Sequence, residues 1–336
     1  SLRFKSRKRK NDGYLQALSR RRHGRRRDRR RYRHRPRHGA GPPRRRRQKV
    51  YILGRRRDVL DKAASEASAD LKKTATSTSS SSTAGVMIPV ECDVTSKTSL
   101  QAAVDFVTKD AGYLNLLVAN SGIGGPEARY GAGKSVAELR RELFEKVDMA
   151  DFTHAFHVNV TGAYFTMLAF LELLDAGNKH AVSHAKDAQG TVFGVPSADA
   201  SSSPKVPAVQ SQVVFTSSIS AFSRAHVSGP AYSGSKAAIM HLTKHASSNL
   251  AEHGIRVNAL APGLFPSEMA SGLMEKHGDP SLKEYGHPLF LPSLRFGTEH
   301  EMAGTILYLV SRAGAYCNGS IIVEDGGRLG VMPAAY

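Results

Sequence analysis

From residue 49 onward, short segments of continuously apolar residues alternate with amphipathic helical stretches. Such segments suit strands that are buried on both faces, and a helical crossover is the connection that a parallel pair of strands requires. The sequence therefore predicts an α/β fold built on a doubly wound parallel sheet. We expect strands at residues 50–53, 86–90, 114–119, 213–215, 255–260 and 320–323, and helices at residues 57–71, 96–110, 135–174, 232–252 and 299–311.

Two stretches of different composition interrupt this pattern. Residues 74–85 are rich in Thr and Ser and predict a flexible loop. Residues 175–211 are rich in Ala, Ser, Asp, Lys and Pro and predict a long surface insertion. The chain is therefore expected to hold one domain, residues 49–336, with a surface insertion at 175–211 and a separate segment, residues 1–48, before it.

The basic character of the chain is confined to that first segment. The net charge is +19, yet residues 1–48 contain 22 of the 48 Lys and Arg residues and 2 of the 29 Asp and Glu residues, so the remainder is nearly neutral. The segment has no apolar periodicity, and we expect it to be disordered in isolation. An Arg-rich arm suits nucleic-acid phosphates, but no fold signature of a nucleic-acid-binding module accompanies it. Nucleic-acid binding is kept as an alternative, not as the main function.

Other bulk features point to a cytoplasmic protein without metal. No run approaches the roughly 18 consecutive apolar residues of a membrane-spanning helix. The first residues are basic and lack the apolar core of a secretory signal. Cys92 and Cys317 lie far apart and form no metal-ligand cluster, so we expect two reduced thiols.

Tyr232 and Lys236 carry the strongest chemical signal. They are four residues apart on a predicted helix and therefore share one face. A phenol titrates near pH 10 and is a weak acid at neutral pH, but a neighbouring ammonium favours the phenolate and lowers the pKa. We expect Tyr232 to protonate a carbonyl oxygen while a hydride reaches the carbonyl carbon. Alone, such a pair is weak evidence, because most Tyr and Lys residues at this spacing are surface contacts.

The surrounding sequence favours the catalytic interpretation. Ser218 follows a predicted strand, on the edge of a parallel sheet where ligands bind, and could donate a hydrogen bond to a substrate carbonyl. Asn159 lies within a predicted helix, where Asn is a poor helix former, and could hold a water for proton relay. Pro262 and Gly263 end another predicted strand at the same edge.

In order and spacing, these residues resemble the short-chain dehydrogenase/reductase family over about residues 49–330. Asn159, Ser218, Tyr232 and Lys236 match its catalytic tetrad one by one. Further matches to family elements are Asn120-Ser121-Gly122, Pro262-Gly263 and Asp325-Gly326-Gly327. The resemblance implies a Rossmann-like fold, a nicotinamide cofactor, a small-molecule or acyl carbonyl substrate, and a homodimer or homotetramer. The implied cofactor-binding residues are Arg55, Arg56, Asp93, Val94, Asn120, Gly122, Tyr232, Lys236, Pro262, Gly263, Phe265 and Ser267.

The resemblance also suggests the cofactor and the substrate class. Where an acidic residue would bind the ribose 2′-hydroxyl of NAD, this chain has Arg55 and Arg56, whose guanidinium groups suit a 2′-phosphate. NADP(H) is therefore preferred over NAD(H), which stays possible. Residues 261–269 and 313–319 resemble the 3-oxoacyl-[acyl-carrier-protein] reductases named for rhamnolipid biosynthesis. This likeness implies reduction of a 3-oxoacyl or related carbonyl compound.

One family element is missing. The family begins with a strand, a glycine-rich turn and a helix that bring backbone N–H groups to the cofactor pyrophosphate. No such unit precedes residue 50, and the Arg-rich segment occupies its place. We hypothesise that residues from about 5 to 48 reflect a reading-frame error, because Ala and Gly codons of a GC-rich gene shifted by one base give largely Arg and Pro.

The missing unit has a structural consequence. Its strand would be central, so the strands at residues 50–53 and 86–90 lose their bridge to the rest of the sheet, and backbone groups are left unpaired. We expect the chain as written to fold poorly or to bind cofactor weakly. A catalytically impaired or cofactor-free family member is therefore the second alternative.

Overall fold

The computed structural model describes residues 48–77, 85–184, 209–225 and 228–335. The Arg-rich segment lies outside the described residues except for its last residue, as do the central part of the predicted 74–85 loop and residues 185–208 of the predicted insertion. The expected disorder and the reading-frame hypothesis therefore stay predictions.

Parallel strands alternate with helices along the described residues, which confirms the predicted α/β class. The strands are β1 (Lys49–Gly54), β2 (Val86–Glu91), β3 (Leu116–Ala119), β4 (Gln212–Thr216), β5 (Arg256–Pro262) and β6 (Ile321–Glu324). The α-helices are α1 (Arg57–Ser77), α2 (Lys97–Asp110), α3 (Val136–Arg140), α4 (Met149–Phe156), α5 (Ala163–Ala169), α6 (Leu171–His184), α7 (Pro230–Asn249), α8 (Ser271–His277) and α9 (Glu299–Val310). Helix α1 extends to Ser77, beyond the predicted end at residue 71 and into the predicted loop.

The strands form two separate parallel sheets. β1 pairs with β2, whereas the larger sheet has the order β3-β4-β5-β6. Among the strands that the structure describes, none joins β1 to β3, so each of these two strands is paired along one edge. Val50 of β1 is 52% exposed and Val118 of β3 is 39% exposed. The sheet is therefore split where the sequence predicts that a central strand is missing.

One hydrophobic core nevertheless includes residues from both sheets. Leu100 and Val107 on α2, which follows β2, belong to the same buried cluster as Leu117 of β3, Met167 of α5 and Phe215 of β4. Complete burial of an apolar side chain of this size contributes about 1.5–3 kcal/mol. Helices α2 and α5 thus hold the small sheet against the large one without strand pairing between β1 and β3.

The predicted long helix at residues 135–174 is wrong in its continuity. Helix α3 passes into a π-helical segment, Arg141–Glu145, and a new helix begins after Asp148. The Asp148 carboxylate accepts a hydrogen bond from the backbone N–H of Ala150 at 2.8 Å and caps α4. A second π-helical segment, His157–Gly162, joins α4 to α5. Such widened turns occur often at functional sites, and this one contains Asn159.

The predicted insertion begins too early, because its first ten residues continue helix α6. Gly177 on α6 lies so close to the Leu114 carbonyl oxygen that a Cβ atom would come within 2.1 Å of it. The Asn178 side chain accepts a hydrogen bond from the N–H of Ser211 at 2.7 Å and donates one to the Gly254 carbonyl at 2.9 Å. These contacts place residues 175–184 within the fold.

A glycine ends the helical segment that begins with α7. A short 3-10 turn, Ala251–His253, continues α7, and Gly254 then adopts a left-handed conformation with φ of 64°. Glycine adopts this conformation without the steric penalty of a Cβ atom. Gly254 thereby directs the chain into β5, whose end carries predicted site residues.

No single helix among the described residues is both long and apolar enough to span a membrane. A bent pair, Met149–Ala169 with Leu171–Ser183, meets the criteria of length and composition only when its two helices are taken together.

Candidate active site

The carboxyl ends of the parallel strands bring the predicted site residues together. Asn120 follows β3, and its side-chain oxygen accepts a hydrogen bond from the Thr216 hydroxyl at 2.9 Å, at the end of β4. Ser218 comes two residues after β4 and is buried. Its hydroxyl oxygen accepts a hydrogen bond from the backbone N–H of Ser220 at 3.1 Å. The ends of neighbouring strands thus form one polar edge.

Helix α7 carries Tyr232 and Lys236 to this edge. Pro230 occupies the first turn of the helix, where a missing N–H has no consequence. The Lys236 ammonium donates a hydrogen bond to the Thr216 carbonyl at 2.8 Å and lies 5.7 Å from the centre of the Tyr232 ring. The Ser217 hydroxyl donates to the Lys236 carbonyl at 2.8 Å and so ties α7 to the end of β4.

Asn159 connects the loop after β3 to helix α7. Its side-chain oxygen accepts from the N–H of Ile123 at 2.8 Å, and its amide donates to the Ile123 carbonyl and to the Ser235 hydroxyl, both at 2.9 Å. Gly122 packs against this group, since a Cβ atom there would lie 3.0 Å from the Asn159 side-chain oxygen and 3.4 Å from the Lys236 nitrogen. Asn159 is 1% exposed, so its amide is fully committed within the protein.

The net shift of the Tyr232 pKa is opposite to the shift predicted from the Lys236 charge. Burial raises the pKa of the Tyr232 phenol above its ordinary value of 10.0, because a phenolate loses hydration there. A hydrogen bond from the Ser218 side chain lowers that pKa and offsets part of the effect. The Lys236 ammonium points instead to the Thr216 carbonyl. The phenol is therefore held in its protonated form.

Burial acts in the opposite direction on the lysine. Lys236 is 4% exposed, and desolvation lowers its pKa from 10.5 to about 8. The ammonium form thus persists at neutral pH but is lost in mildly alkaline solution. A buried proton donor and a buried cation with a pKa near physiological pH lie side by side, as acid–base chemistry requires.

Two of the predicted cofactor-binding residues, Asp93 and Val94, lie at the end of β2. The Asp93 carboxylate accepts hydrogen bonds from the N–H of Thr95 at 2.9 Å and from its hydroxyl at 2.7 Å. These bonds, and more weakly the charge of Arg55, lower the pKa of Asp93. Val94 packs on the turn that carries Asn159, because a Cβ atom on Gly162 would come within 3.1 Å of the Val94 side chain. Val94 thus links the end of β2 to the π-helical segment that carries Asn159.

Arg56 has a partner that the sequence did not indicate. Its two terminal nitrogens donate to the two carboxylate oxygens of Glu268, at 3.1 and 2.7 Å. Arg56 follows β1 and Glu268 follows β5, so the pair joins the two separate sheets at their carboxyl ends.

The remaining predicted cofactor residues surround the end of β5. Gly263 lies against the β6 end, where a Cβ atom would come within 2.8 Å of the Asp325 backbone. Phe265 packs over Gly297, and a Cβ atom there would come within 2.4 Å of the ring. The Ser267 hydroxyl accepts from the N–H of Ala270 at 3.1 Å and turns the chain towards α8. The structure thus places Pro262, Gly263, Phe265 and Ser267 in one segment at the end of β5.

Several residues of the site were missed from the sequence. Thr216 holds Lys236, Ser217 anchors α7, Ser235 bonds Asn159, and Glu268 engages Arg56. The first three lie within one or two residues of predicted catalytic residues, and that proximity was their available signal. Among the described residues, no group of three or more His, Cys, Asp or Glu side chains is placed to hold a metal ion.

Known families match most of the chain. The family model for short chain dehydrogenases matches residues 57–183, and the one described as enoyl-(acyl carrier protein) reductase matches residues 187–328. The short-chain dehydrogenase/reductase SAT3 of Stachybotrys chartarum is 54% identical over 86% of this chain and 96% of its own length. The chain belongs to the short-chain dehydrogenase/reductase family, a class of NAD(P)-dependent oxidoreductases.

More distant relatives and solved structures share the fold. The 3-oxoacyl-[acyl-carrier-protein] reductase MabA of Mycobacterium tuberculosis is 26% identical over 86% of this chain and 95% of its own length. A Mycobacterium marinum short-chain dehydrogenase/reductase superposes with a TM-score of 0.59 at 24% identity, covering 84% of this chain and 85% of its own. The Brucella melitensis 3-ketoacyl-(acyl-carrier-protein) reductase complexed with NADH gives 0.57 at 20% identity, covering 83% and 87%.

Proposed function

We propose that the protein is an NADPH-dependent reductase that converts a carbonyl group to an alcohol, with Tyr232 as the general acid. The observation that carries this proposal is the set of buried Asn159, Ser218 and Lys236 with half-buried Tyr232 around the carboxyl ends of β3 and β4. A protonated phenol, a hydroxyl donor and an ammonium converge there, as carbonyl reduction requires.

The chain's own residues account for the proton side of the reaction. When bound, a reduced nicotinamide supplies the hydride to the carbonyl carbon. The Ser218 hydroxyl donates a hydrogen bond to the carbonyl oxygen, on which negative charge grows. Tyr232 gives its proton to that oxygen and becomes a phenolate, which the Lys236 ammonium stabilises. One hydride and one proton together convert the carbonyl to the alcohol, and solvent then returns a proton to Tyr232.

The residues fit the nicotinamide-ribose end of such a cofactor better than its pyrophosphate. Gly122 leaves open the space that a Cβ atom would fill beside Asn159 and Lys236. The Lys236 ammonium has three N–H donors, and one of them bonds to Thr216, so ribose hydroxyls suit the others. A glycine-rich turn for the pyrophosphate is not among the described residues.

The cofactor preference rests on charge at the end of β1. Arg55 and Arg56 are exposed there, and guanidinium groups bind phosphate through charge-assisted, paired hydrogen bonds. NADP(H) is accordingly the proposed cofactor, with NAD(H) as the weaker ligand. Solved structures of the fold hold NADP with tartrate in one protein and NADH in another, and these cofactors belong to those proteins.

The substrate class is proposed from sequence likeness. The 3-oxoacyl-[acyl-carrier-protein] reductase MabA shares 26% identity with this chain, and the segment after β5 resembles reductases of that kind. We therefore propose a 3-oxoacyl or related carbonyl compound as the substrate. A homodimer or homotetramer in the cytoplasm completes the proposal, supported by family membership and by the free thiols of Cys92 and Cys317.

The alternative of an impaired family member has one observation in its favour. The small sheet of β1 and β2 is not hydrogen-bonded to the sheet that carries the tetrad, within the described residues. A cofactor that contacts both sheets would therefore bind to two elements that no strand pairing holds together. This alternative predicts an intact fold around Tyr232 together with weak cofactor affinity.

Fluorescence titration with NADPH, followed by turnover of a 3-oxoacyl thioester, separates the two functions. The chain is titrated beside a version in which a strand, a glycine-rich turn and a helix replace residues 1–48. Reductase activity in either form that is abolished by Tyr232→Phe, and retained in the exposed control Tyr316→Phe, supports the reductase. Activity in the replaced version alone supports impairment of the chain as written. Absence of NADPH binding from both would reject the proposal.

A further inference from the structure

The ion pair between Arg56 and Glu268 joins the end of β1 in the small sheet to the segment after β5. Both terminal nitrogens of Arg56 are engaged by both oxygens of Glu268. The side chains are 62% and 79% exposed, so a ligand in solution can reach them. The pair is therefore an accessible anion site that already holds an anion, namely a carboxylate from the same chain.

The guanidinium group of an arginine donates paired hydrogen bonds to a carboxylate or a phosphate in the same planar arrangement. Any other anion that binds Arg56 competes with the Glu268 carboxylate for the same N–H donors. A phosphate monoester carries about −1.5 to −2 charges at neutral pH, so it repels Glu268 in addition to competing with it. Binding of a phosphate at Arg56 thus requires that Glu268 move away.

We propose that Glu268 is a specificity-determining residue that competes with the 2′-phosphate of the cofactor for Arg56 and so weakens the preference for NADPH over NADH. This inference rests on the proposed function, because it takes Arg56 as part of the adenosine end of the cofactor site. Glu268 would then determine cofactor choice together with the arginines. It lies in the segment after β5 and is not part of the tetrad.

The neighbouring arginine strengthens the effect. The charge of Arg55 acts on Asp93, whose pKa it helps to lower. Each arginine after β1 therefore has an acidic residue close to it, and the local charge is more balanced than the sequence Arg55-Arg56-Arg57 indicates. Removing Glu268 would make this region more positive by one charge, and the gain in attraction is specific to ligands with a phosphate in this position.

The size of the effect follows from the exposure of the pair. An exposed arginine–carboxylate pair changes an equilibrium constant by up to about fivefold. Glu268 therefore reduces affinity for the phosphate roughly two- to fivefold and does not abolish binding. Higher salt screens the ion pair and the phosphate contact alike, so the effect is largest at low ionic strength.

The test compares binding of 2′-AMP and 5′-AMP to the full chain at low salt, by calorimetry. We expect Glu268→Gln to raise affinity for 2′-AMP roughly two- to fivefold and to leave 5′-AMP unchanged. Arg56→Gln should remove the preference for 2′-AMP in both backgrounds. Glu275→Gln, an exposed neutralisation with the same change of charge in α8, is the matched control and should change neither ligand.

Two results would overturn the proposal. If Glu268→Gln lowers affinity for 2′-AMP, the carboxylate orients Arg56 instead of competing for it. If neither form of the chain distinguishes 2′-AMP from 5′-AMP, Arg56 is not a phosphate site. Because these ligands lack nicotinamide, the outcome does not depend on turnover. Failure of the reductase proposal would appear separately, as absent thioester reduction in the version with the replaced first unit.

Discussion

The Lys236 ammonium donates a hydrogen bond to the backbone carbonyl of Thr216 at 2.8 Å. This bond fixes a buried cation beside the Tyr232 ring and at the end of β4. The same burial lowers the pKa of Lys236 to about 8. The charge of this lysine is therefore controlled by pH within the range in which an enzyme is assayed.

We predict that carbonyl reduction declines as the pH rises through about 8, because Lys236 then loses the charge that stabilises the phenolate of Tyr232. Lys236→Met should lower kcat/KM by about 100- to 10,000-fold and remove this step from the pH profile. The measurement is kcat/KM against pH from 6 to 10 in the version with the replaced first unit. The exposed Lys244→Met is the control, and its profile should match the parent.

The stability of the protein should respond to the same group with a defined sign. The pKa of Lys236 is lower in the folded state than the ordinary value of 10.5, so the unfolded chain binds more protons between about pH 8 and 10.5. The free energy of unfolding should therefore rise with pH in this window, by about 3 kcal/mol in total. Urea unfolding of Lys236→Met should show no such rise, and an equal rise in that variant would refute the assignment.

Ser218 should influence the acidity of Tyr232 as well as the substrate. Because its hydrogen bond lowers the pKa of the phenol, Ser218→Ala should raise that pKa further and slow proton transfer. We expect kcat/KM to fall about 100-fold or more, a magnitude typical of a lost oxyanion donor. Ultraviolet titration of the phenolate gives the direct measurement. Ser248→Ala, at the exposed end of α7, should leave both values unchanged.

Asn159 should contribute to stability and to catalysis together. Asn159→Ala would leave the N–H and carbonyl of Ile123 without their present partners, and a buried group left unbonded costs about 1–3 kcal/mol. We expect a lower urea midpoint and weaker NADPH binding, because the loop with Gly122 is released. Ser235→Ala removes one of the three bonds of Asn159 and should have a smaller effect. Equal losses in the two variants would contradict this account.

The open edges of the two sheets can be tested with isosteric substitutions. Val118 on β3 is 39% exposed, whereas Val214 on β4 is 0% exposed. Val118→Thr should change the free energy of unfolding by less than about 0.5 kcal/mol in the chain as written. Val214→Thr should lower it by about 1–3 kcal/mol, because it buries a hydroxyl. In the version with the replaced first unit, Val118→Thr should lower the free energy of unfolding by a larger amount. Equal changes in the two versions would show that the new strand does not cover the edge of β3.

The sequence predicted the strands well because each is a short apolar run bounded by polar residues. It also identified Asn159, Ser218, Tyr232 and Lys236, since their order and spacing match a family pattern that depends on the ends of parallel strands. The split between β1 and β3 followed from the same reasoning, because a central strand was missing from the pattern. Periodicity and strand order therefore carry most of the architecture.

Other features depend on contacts between distant residues, which periodicity does not report. The continuation of α6 to His184 relies on Gly177 and Asn178, whose partners lie in the loops that precede β3, β4 and β5. The direction of the Tyr232 pKa depends on burial, which outweighs a nearby charge and is invisible in a spacing of four residues. The pairing of Arg56 with Glu268 joins segments 212 residues apart. Each of these features needs the tertiary structure.

The parallel pairing of β3 with β4 joins segments of the chain that are far apart, as the bond between Thr216 and Asn120 spans 96 residues. During synthesis, β3 must therefore wait for a long intervening stretch before its partner emerges, and such distant pairing folds slowly. Even then, among the strands that the structure describes, its other edge is unpaired, as is that of β1. Unpaired edges are templates on which extended segments of other chains can add, so the divided sheet makes this protein prone to aggregate as it is made.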